Sequence, residues 1–192
     1  MDAMFPLFLK LAGRRVLLVG GGRVALGKLD GLLTAGAQVE VVAPEVGSGF
    51  DRRGVHVNRR AFVASDLDDV WLAIAAATPA VNRQVAANAD ARRIFVNAVD
   101  EPETASAYSG GVIRRSGVTV AVSTAGAAPA LAGLLREALD ALLPEDLEAW
   151  VSEAVRARSA WKASQTPIER RRPLLLEALN DLYSLQAEEP GP

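Results

Sequence analysis

Apolar positions in the first half of the chain fall into short blocks separated by segments of helical period. Residues 15–19 (Arg-Val-Leu-Leu-Val) form a β-rich apolar run ending in glycines, the pattern of a buried parallel strand. Across 24–35, Leu26, Leu29, Leu32 and Leu33 share one helical side, and Gly36 is the stop. Residues 38–43 predict a second strand closed by Pro44. After a polar stretch with Gly47, Gly49 and Gly54, a further strand is predicted at 55–60. Residues 71–76 predict another buried strand, 81–91 a helix with Asn82 near its start, and 94–97 a short strand. Strands alternating with helices imply a right-handed, mostly parallel sheet. This α/β domain of Rossmann type is expected to end near Ile113.

The pattern then changes. Residues 118–123 predict a strand, followed by a Gly/Ala turn and by Pro129, which suits the first turn of a helix. Leu131, Leu134, Leu135, Ala138, Leu139 and Leu142 keep the helical period until Pro144 ends it. Leu147, Trp150, Val151, Ala154 and Val155 mark another helix. Beyond the Thr166-Pro167 break and Pro173, Leu175, Leu179, Leu182 and Tyr183 mark a last one, with a tail at 188–192 expected to fray. The strand and leucine-rich helix at 118–143 are too small to bury their own apolar face, which predicts a homodimer.

Composition narrows the function classes. The 192 residues suffice for a Rossmann core and a smaller second unit, and 50% hydrophobic with 23% charged residues is ordinary for a soluble globular chain. The absence of cysteine excludes disulfides, thiolate catalysis, iron–sulfur clusters and cysteine zinc sites, and fits a reducing compartment. The single histidine, His56, cannot make a histidine-rich metal site and is expected on a strand surface, so no metal ligands are predicted. A net charge of −2 gives no global attraction to nucleic acid or anionic membrane. The apolar run at 4–11 precedes its arginines, the reverse of a signal peptide, and no segment approaches the ~20 apolar residues of a membrane span. A cytoplasmic, soluble protein is expected.

The strongest chemical signal is Gly20-Gly21-Gly22-Arg23-Val24-Ala25. It is G-x-G-x-x-A between a strand and a helix, the setting in which this motif cradles a dinucleotide. Gly20 permits the tight turn, Gly22 lets backbone approach a pyrophosphate, and Ala25 permits close helix–strand packing. The helix N-terminus then faces the phosphates. A ribose-binding carboxylate is expected at the end of the second strand. Glu40 lies inside that strand, whereas Glu45 follows it directly after Pro44. No arginine at 43–49 awaits a 2′-phosphate, which favours NAD over NADP.

Asp100 follows the strand at 94–97, at the carboxyl edge where ligands of open α/β sheets bind. Asn97-Ala-Val-Asp100 can present an amide and a carboxylate to one ligand; a plain turn aspartate before Glu101-Pro102 is the other reading. Ser123-Thr124-Ala125-Gly126, between a strand and a helix, can hold an anion or simply cap a turn. Arginines cluster at 92–93, 114–115 and 170–172. Such groups are usually solvated, yet they are also the fork-shaped donors that carboxylate-rich ligands need. Trp150 and Trp161 are expected in helix packing.

Taken together, Phe5-Pro-Leu-Phe-Leu, the strand–GGGRVA–helix unit, Trp71-Leu-Ala-Ile-Ala-Ala, Asn97-Ala-Val-Asp, Val120-Ala-Val-Ser-Thr and Ala128-Pro-Ala-Leu-Ala-Gly-Leu-Leu-Arg-Glu resemble the precorrin-2 dehydrogenase/sirohydrochlorin ferrochelatase family, the N-terminal module of siroheme synthase. The likeness is strongest from residue 5 to 144, and Glu169-Arg-Arg-Arg172 echoes the family's helical domain. It implies a homodimer with an NAD-binding Rossmann domain (1–113), a dimerisation domain (114–144) and a helical domain (145–192). No methyltransferase module follows, so the stand-alone form is expected.

The resemblance further implies that Arg23, Val24, Pro44 and Glu45 contact NAD, that Asp100 is the essential carboxylate, and that Ser123 lines the tetrapyrrole pocket; the local chemistry of Asn97, Thr124 and Arg114 makes them the further expected substrate contacts. Three positions depart from the family pattern: the strand ending at Ala76 runs into Ala77-Thr78-Pro79 instead of Ala-Thr-Asp, Gly27 replaces a common arginine, and Ala128 replaces a frequent hydroxyl residue. The implied reaction is hydride transfer from precorrin-2 to NAD⁺ with loss of a proton, giving sirohydrochlorin, and also Fe²⁺ insertion to give siroheme, with Fe²⁺ as substrate. Two other classes stay open: a non-catalytic NAD-binding redox regulator, and a dehydrogenase of another small molecule.

Overall fold

The computed structural model describes residues 4–51 and 55–187. It divides into two compact units, the first formed by Met1–Ser109 with Ser123–Ala128 and the second by Gly110–Val122 with Pro129–Pro192.

The first unit is a five-stranded parallel sheet in the order β3-β2-β1-β4-β5: β1 (Arg15–Val19), β2 (Gln38–Val42), β3 (His56–Asn58), β4 (Leu72–Ala75) and β5 (Phe95–Ala98). Alternate residues of β1 serve opposite faces. Val16 and Leu18 join Val39, Val41 and Phe50 against Ala25, Leu29 and Leu32 of α1 (Arg23–Thr34). Leu17 and Val19 join Ala73, Ala75 and Val96 against Val85, Ala86 and Ala89 of α3 (Pro79–Asp90). Both faces are therefore covered, which is why the strands read as continuous apolar runs. Leu29 is fully buried, and its truncation to alanine should cost about 2–5 kcal/mol.

Strand order decides where a ligand can bind. β2 lies on one side of β1 and β4 on the other, so the chain reverses direction across the sheet at β1. The crevice beyond the carboxyl ends of β1 and β4 is the topological switch point where open α/β sheets take their ligands.

Two details differ from the sequence pattern here. The stretch expected to be polar at 44–54 contains α2 (Ser48–Asp51), whose Phe50 is wholly buried and belongs to the core. The strand expected at 55–60 is confined to His56–Asn58, because Arg59 and Arg60 turn to ion pairs with Asp51 and Asp66. Gly54 and the tail at 188–192 lie outside the described residues.

In the second unit β6 (Gly111–Arg115) pairs antiparallel with β7 (Val118–Val122), and α4 (Pro129–Leu142) packs on them. Ile113, near which the α/β pattern was expected to end, is the central residue of β6 and pairs with Val120. Close approach of α4 requires Gly111, where a Cβ would press on the Ala132 carbonyl at 3.2 Å. Helices α5 (Leu147–Ala163) and α6 (Ile168–Ala187) pack together through an edge-to-face pair, Trp150 and Tyr183, whose ring centroids are 6.1 Å apart. The Trp150 indole N–H donates to the Tyr183 oxygen at 2.8 Å. Pro173 lies inside α6 rather than before it. A proline this near a helix start forfeits one backbone bond, which the half-buried Leu174, Leu175, Leu179 and Leu182 offset by packing.

Candidate functional site: a glycine turn and a carboxylate beyond β5

The turn from β1 into α1 is built by backbone crowding. Gly20 takes φ 127°, and a Cβ there would collide with the carbonyl of Ala76 at the end of β4. A Cβ on Gly21 would collide with the Glu45 carbonyl, and the Gly47 N–H donates to the Gly21 carbonyl at 3.0 Å. These two glycines let the β1, β2 and β4 exits converge. Gly22 is different. Its missing Cβ would project into open space, and it stands as N-cap of α1 with no side chain bonding the first turn and no acidic residue within it. Ala25 is fully buried beneath the turn, as close helix–strand packing requires.

An uncapped helix start approached through bare backbone is a cradle for a diphosphate. Arg23 and Val24 are exposed at its mouth, and Pro44 and Glu45 are exposed just past β2. Glu40, by contrast, is held within the strand layer by Arg15 at 2.8 Å and by the Asn58 amide.

Asp100 lies two residues past the end of β5, exposed, with φ 59°. Among the described residues its carboxylate accepts no hydrogen bond. Lys28, half-buried on α1, lies within its electrostatic range. Burial pushes the Lys28 ammonium below its ordinary pKa, and the Asp100 charge partly restores it. Lys28 Nζ donates to Ser109 Oγ at 2.6 Å, and Ser109 Oγ donates to Asn97 Oδ1 at 3.2 Å. Asn97 is buried, and its Nδ2 donates to the Ala107 carbonyl at 2.9 Å. Both ends of that amide are thus engaged inside the protein, so Asn97 shapes the loop at 107–109 instead of facing outward with Asp100.

The loop Ser123–Ala128 belongs to the same unit. Gly126 packs over Pro102 and Tyr108, whose hydroxyl donates to the Pro102 carbonyl at 2.6 Å. Ser123 Oγ accepts the Ala125 N–H and Thr124 Oγ1 accepts the Ala128 N–H, each at 3.2 Å. Arg114 is exposed on β6 in the second unit. Lys28, Ser109 and Asn82 carry no motif. Only their long-range partners place them near Asp100.

A family model for NAD(P)-binding domains matches residues 7–111, more than half of the chain. The chain belongs to this NAD(P)-binding family. Its members' dinucleotide fits the residues present, because the open space at Gly22, the exposed Glu45 and the uncapped α1 all lie just past the carboxyl ends of β1 and β2. Siroheme synthase of Photorhabdus laumondii is 41% identical over 185 residues, covering 94% of this chain and 39% of that protein. Siroheme synthase of Tolumonas auensis is 44% identical over 171 residues, covering 87% and 36%. The chain thus spans about two fifths of the length of these curated relatives. Among solved structures, the precorrin-2 dehydrogenase SirC superposes with a TM-score of 0.73 at 28% identity, covering 95% of this chain and 92% of that one. No helix among the described residues is long and apolar enough to cross a membrane.

Proposed function

We propose that this chain oxidises precorrin-2 to sirohydrochlorin with NAD⁺, a step towards siroheme. The observation that carries the reading is Asp100, an exposed carboxylate that accepts no hydrogen bond among the described residues, at the exit of β5, on the sheet edge that also bears the glycine turn after β1. The likeness to SirC along nearly the whole of both chains supports the substrate class.

The reaction removes two electrons and two protons' worth of hydrogen from the tetrapyrrole: one hydride and one proton. Bound NAD⁺ supplies the hydride acceptor. Asp100 accepts the proton as general base, directly or through one water. Lys28 faces it with a positive charge and, through Ser109, holds the loop below. Ser123 and Thr124 accept backbone N–H groups and retain their own hydroxyl protons for substrate carboxylates. Glu45 takes the ribose hydroxyls. Arg59 and Arg60, at the end of β3, are engaged by Asp51 and Asp66, which supports NAD over NADP.

Fe²⁺ insertion into sirohydrochlorin is the second activity of this reading. It releases two pyrrole protons, for which Asp100 is the available acceptor, and Fe²⁺ enters as substrate. The proposed organisation is a Rossmann domain at 1–113, a dimerisation domain at 114–144 and a helical domain at 145–192. Leu131, Leu134, Leu135, Leu139 and Leu142 leave one apolar face of α4 exposed, with Leu142 at 78%, and a second copy would cover it. A cytoplasmic location fits a chain without cysteine. Mixing purified protein with precorrin-2, with and without NAD⁺, and following the absorption spectrum tests the reading. Conversion to sirohydrochlorin only when NAD⁺ is present is expected, and an unchanged spectrum would refute it.

A further inference from the structure

Asp100 sits between two fastened neighbours, and both fasteners come from consecutive residues of α3. Asn82, only 3% exposed, accepts the Ala77 N–H on its Oδ1 at 2.9 Å and donates from Nδ2 to the Val99 carbonyl at 3.0 Å. Arg83 donates from Nη1 to Glu101 Oε1 at 2.8 Å, and the Glu101 side chain is largely covered. The Val99 N–H donates to the Ala75 carbonyl at 2.9 Å. Residues 99 and 101 are therefore anchored while Asp100 between them adopts φ 59°. That left-handed conformation is not the resting choice of an L-residue, although aspartate tolerates it better than most.

The other end of the Asn82 clasp is the cofactor side. Ala77 follows Ala76, whose carbonyl occupies the space that a side chain on Gly20 would need. One buried amide thus joins the turn packed on the dinucleotide motif to the residue preceding Asp100. A solvated surface asparagine would make neither bond, and an asparagine needed only to start α3 would bond that helix's own N–H groups.

We propose that Asn82 and Arg83 are positioning residues that hold the Asp100 carboxylate in register with the cofactor turn. The inference rests on the reading of Asp100 as the base. Misplacing a reacting group by about 1 Å can cost about 100-fold in rate, so a loosened clasp should appear in kcat and not in cofactor affinity.

Asn82→Asp keeps the acceptor for Ala77 and loses the donor for Val99, and Arg83→Ala removes an ion pair from the exposed end of the clasp. The experiment measures kcat and KM for precorrin-2, NAD⁺ affinity by calorimetry, Tm, and amide hydrogen exchange at 99–101, each variant being made alone and in an Asp100→Asn background. Expected are a kcat loss of about tenfold or more with tetrapyrrole KM and NAD⁺ affinity nearly unchanged, Tm nearly unchanged in Arg83→Ala but lowered in Asn82→Asp by its buried carboxylate, faster exchange at Glu101, and no further loss in the Asp100→Asn background, all rates being read well below either Tm. If Asp100→Asn abolishes turnover while both clasp variants turn over normally, the clasp is overturned and the base stands. A loss that persists undiminished in the Asp100→Asn background also overturns it, since the residues would then act elsewhere. Near wild-type turnover by Asp100→Asn itself overturns the base and the clasp's role together.

Discussion

Lys28 and Ser109 stand 81 positions apart in the chain and 2.6 Å apart in space, ammonium against hydroxyl. Their contact closes the loop at 107–109 over α1 and places a positive charge in range of Asp100.

Lys28 gives a pH prediction whose sign follows from its burial. Its folded pKa is lowered, first by desolvation, so between that value and the unfolded value of about 10.4 the folded state binds fewer protons than the unfolded one. The buried charge therefore weakens the fold at neutral pH, and the penalty is relieved as pH rises through that window. Lys28→Met removes it. Thermal melts at pH 7 and near the unfolded lysine pKa should show Lys28→Met gaining on the wild type at the lower pH by more than at the higher. An equal gap at both would contradict the account.

Gly20 and Gly22 should fail in opposite ways. Gly20→Ala brings a side chain against the Ala76 backbone at φ 127° and should lower stability by about 1–3 kcal/mol. Gly22→Asp meets only open space, so Tm should hold, while the added bulk and negative charge beside the diphosphate should abolish NAD⁺ binding. Calorimetry and melting curves on both variants separate the two. Unchanged affinity in folded Gly22→Asp would remove the cradle from the account.

The exposed leucines of α4 predict a homodimer joined through residues 118–143. Leu134 is 64% exposed, so Leu134→Asp should leave the protomer folded and break the dimer. Light scattering at micromolar concentration checks this. A wild-type monomer would refute it.

How much of this was legible in the sequence depended on the range of each interaction. The strand–Gly20-Gly21-Gly22–helix unit is local, and its apolar period and glycines sufficed. The place of Asp100 just past β5 was legible because it follows a short apolar strand. Asn82 and Lys28 were not, because what distinguishes them is a bond to Val99 and to Ser109, far along the chain. The strand β6 was hidden by Gly110-Gly111 at one end and Arg114-Arg115 at the other, and it is defined by its partner β7. Asn97 lies in β5 three residues before Asp100, yet its amide is engaged by Ala107 and Ser109, which no spacing in the sequence could reveal.

The central claim is that Asp100 takes the proton from precorrin-2, and the rate of sirohydrochlorin formation by Asp100→Asn tests it most directly. The variant keeps the shape of the side chain and cannot act as base, while NAD⁺ binding, measured on the same sample, should persist. A general base is typically worth about 10²–10⁴-fold in rate, and a loss of that size is predicted for Asp100→Asn and Asp100→Ala alike. If both lose the dehydrogenase yet insert Fe²⁺ normally, the two activities do not share this carboxylate. If both oxidise precorrin-2 at near wild-type rates with NAD⁺ bound, Asp100 is a turn residue and the account is wrong.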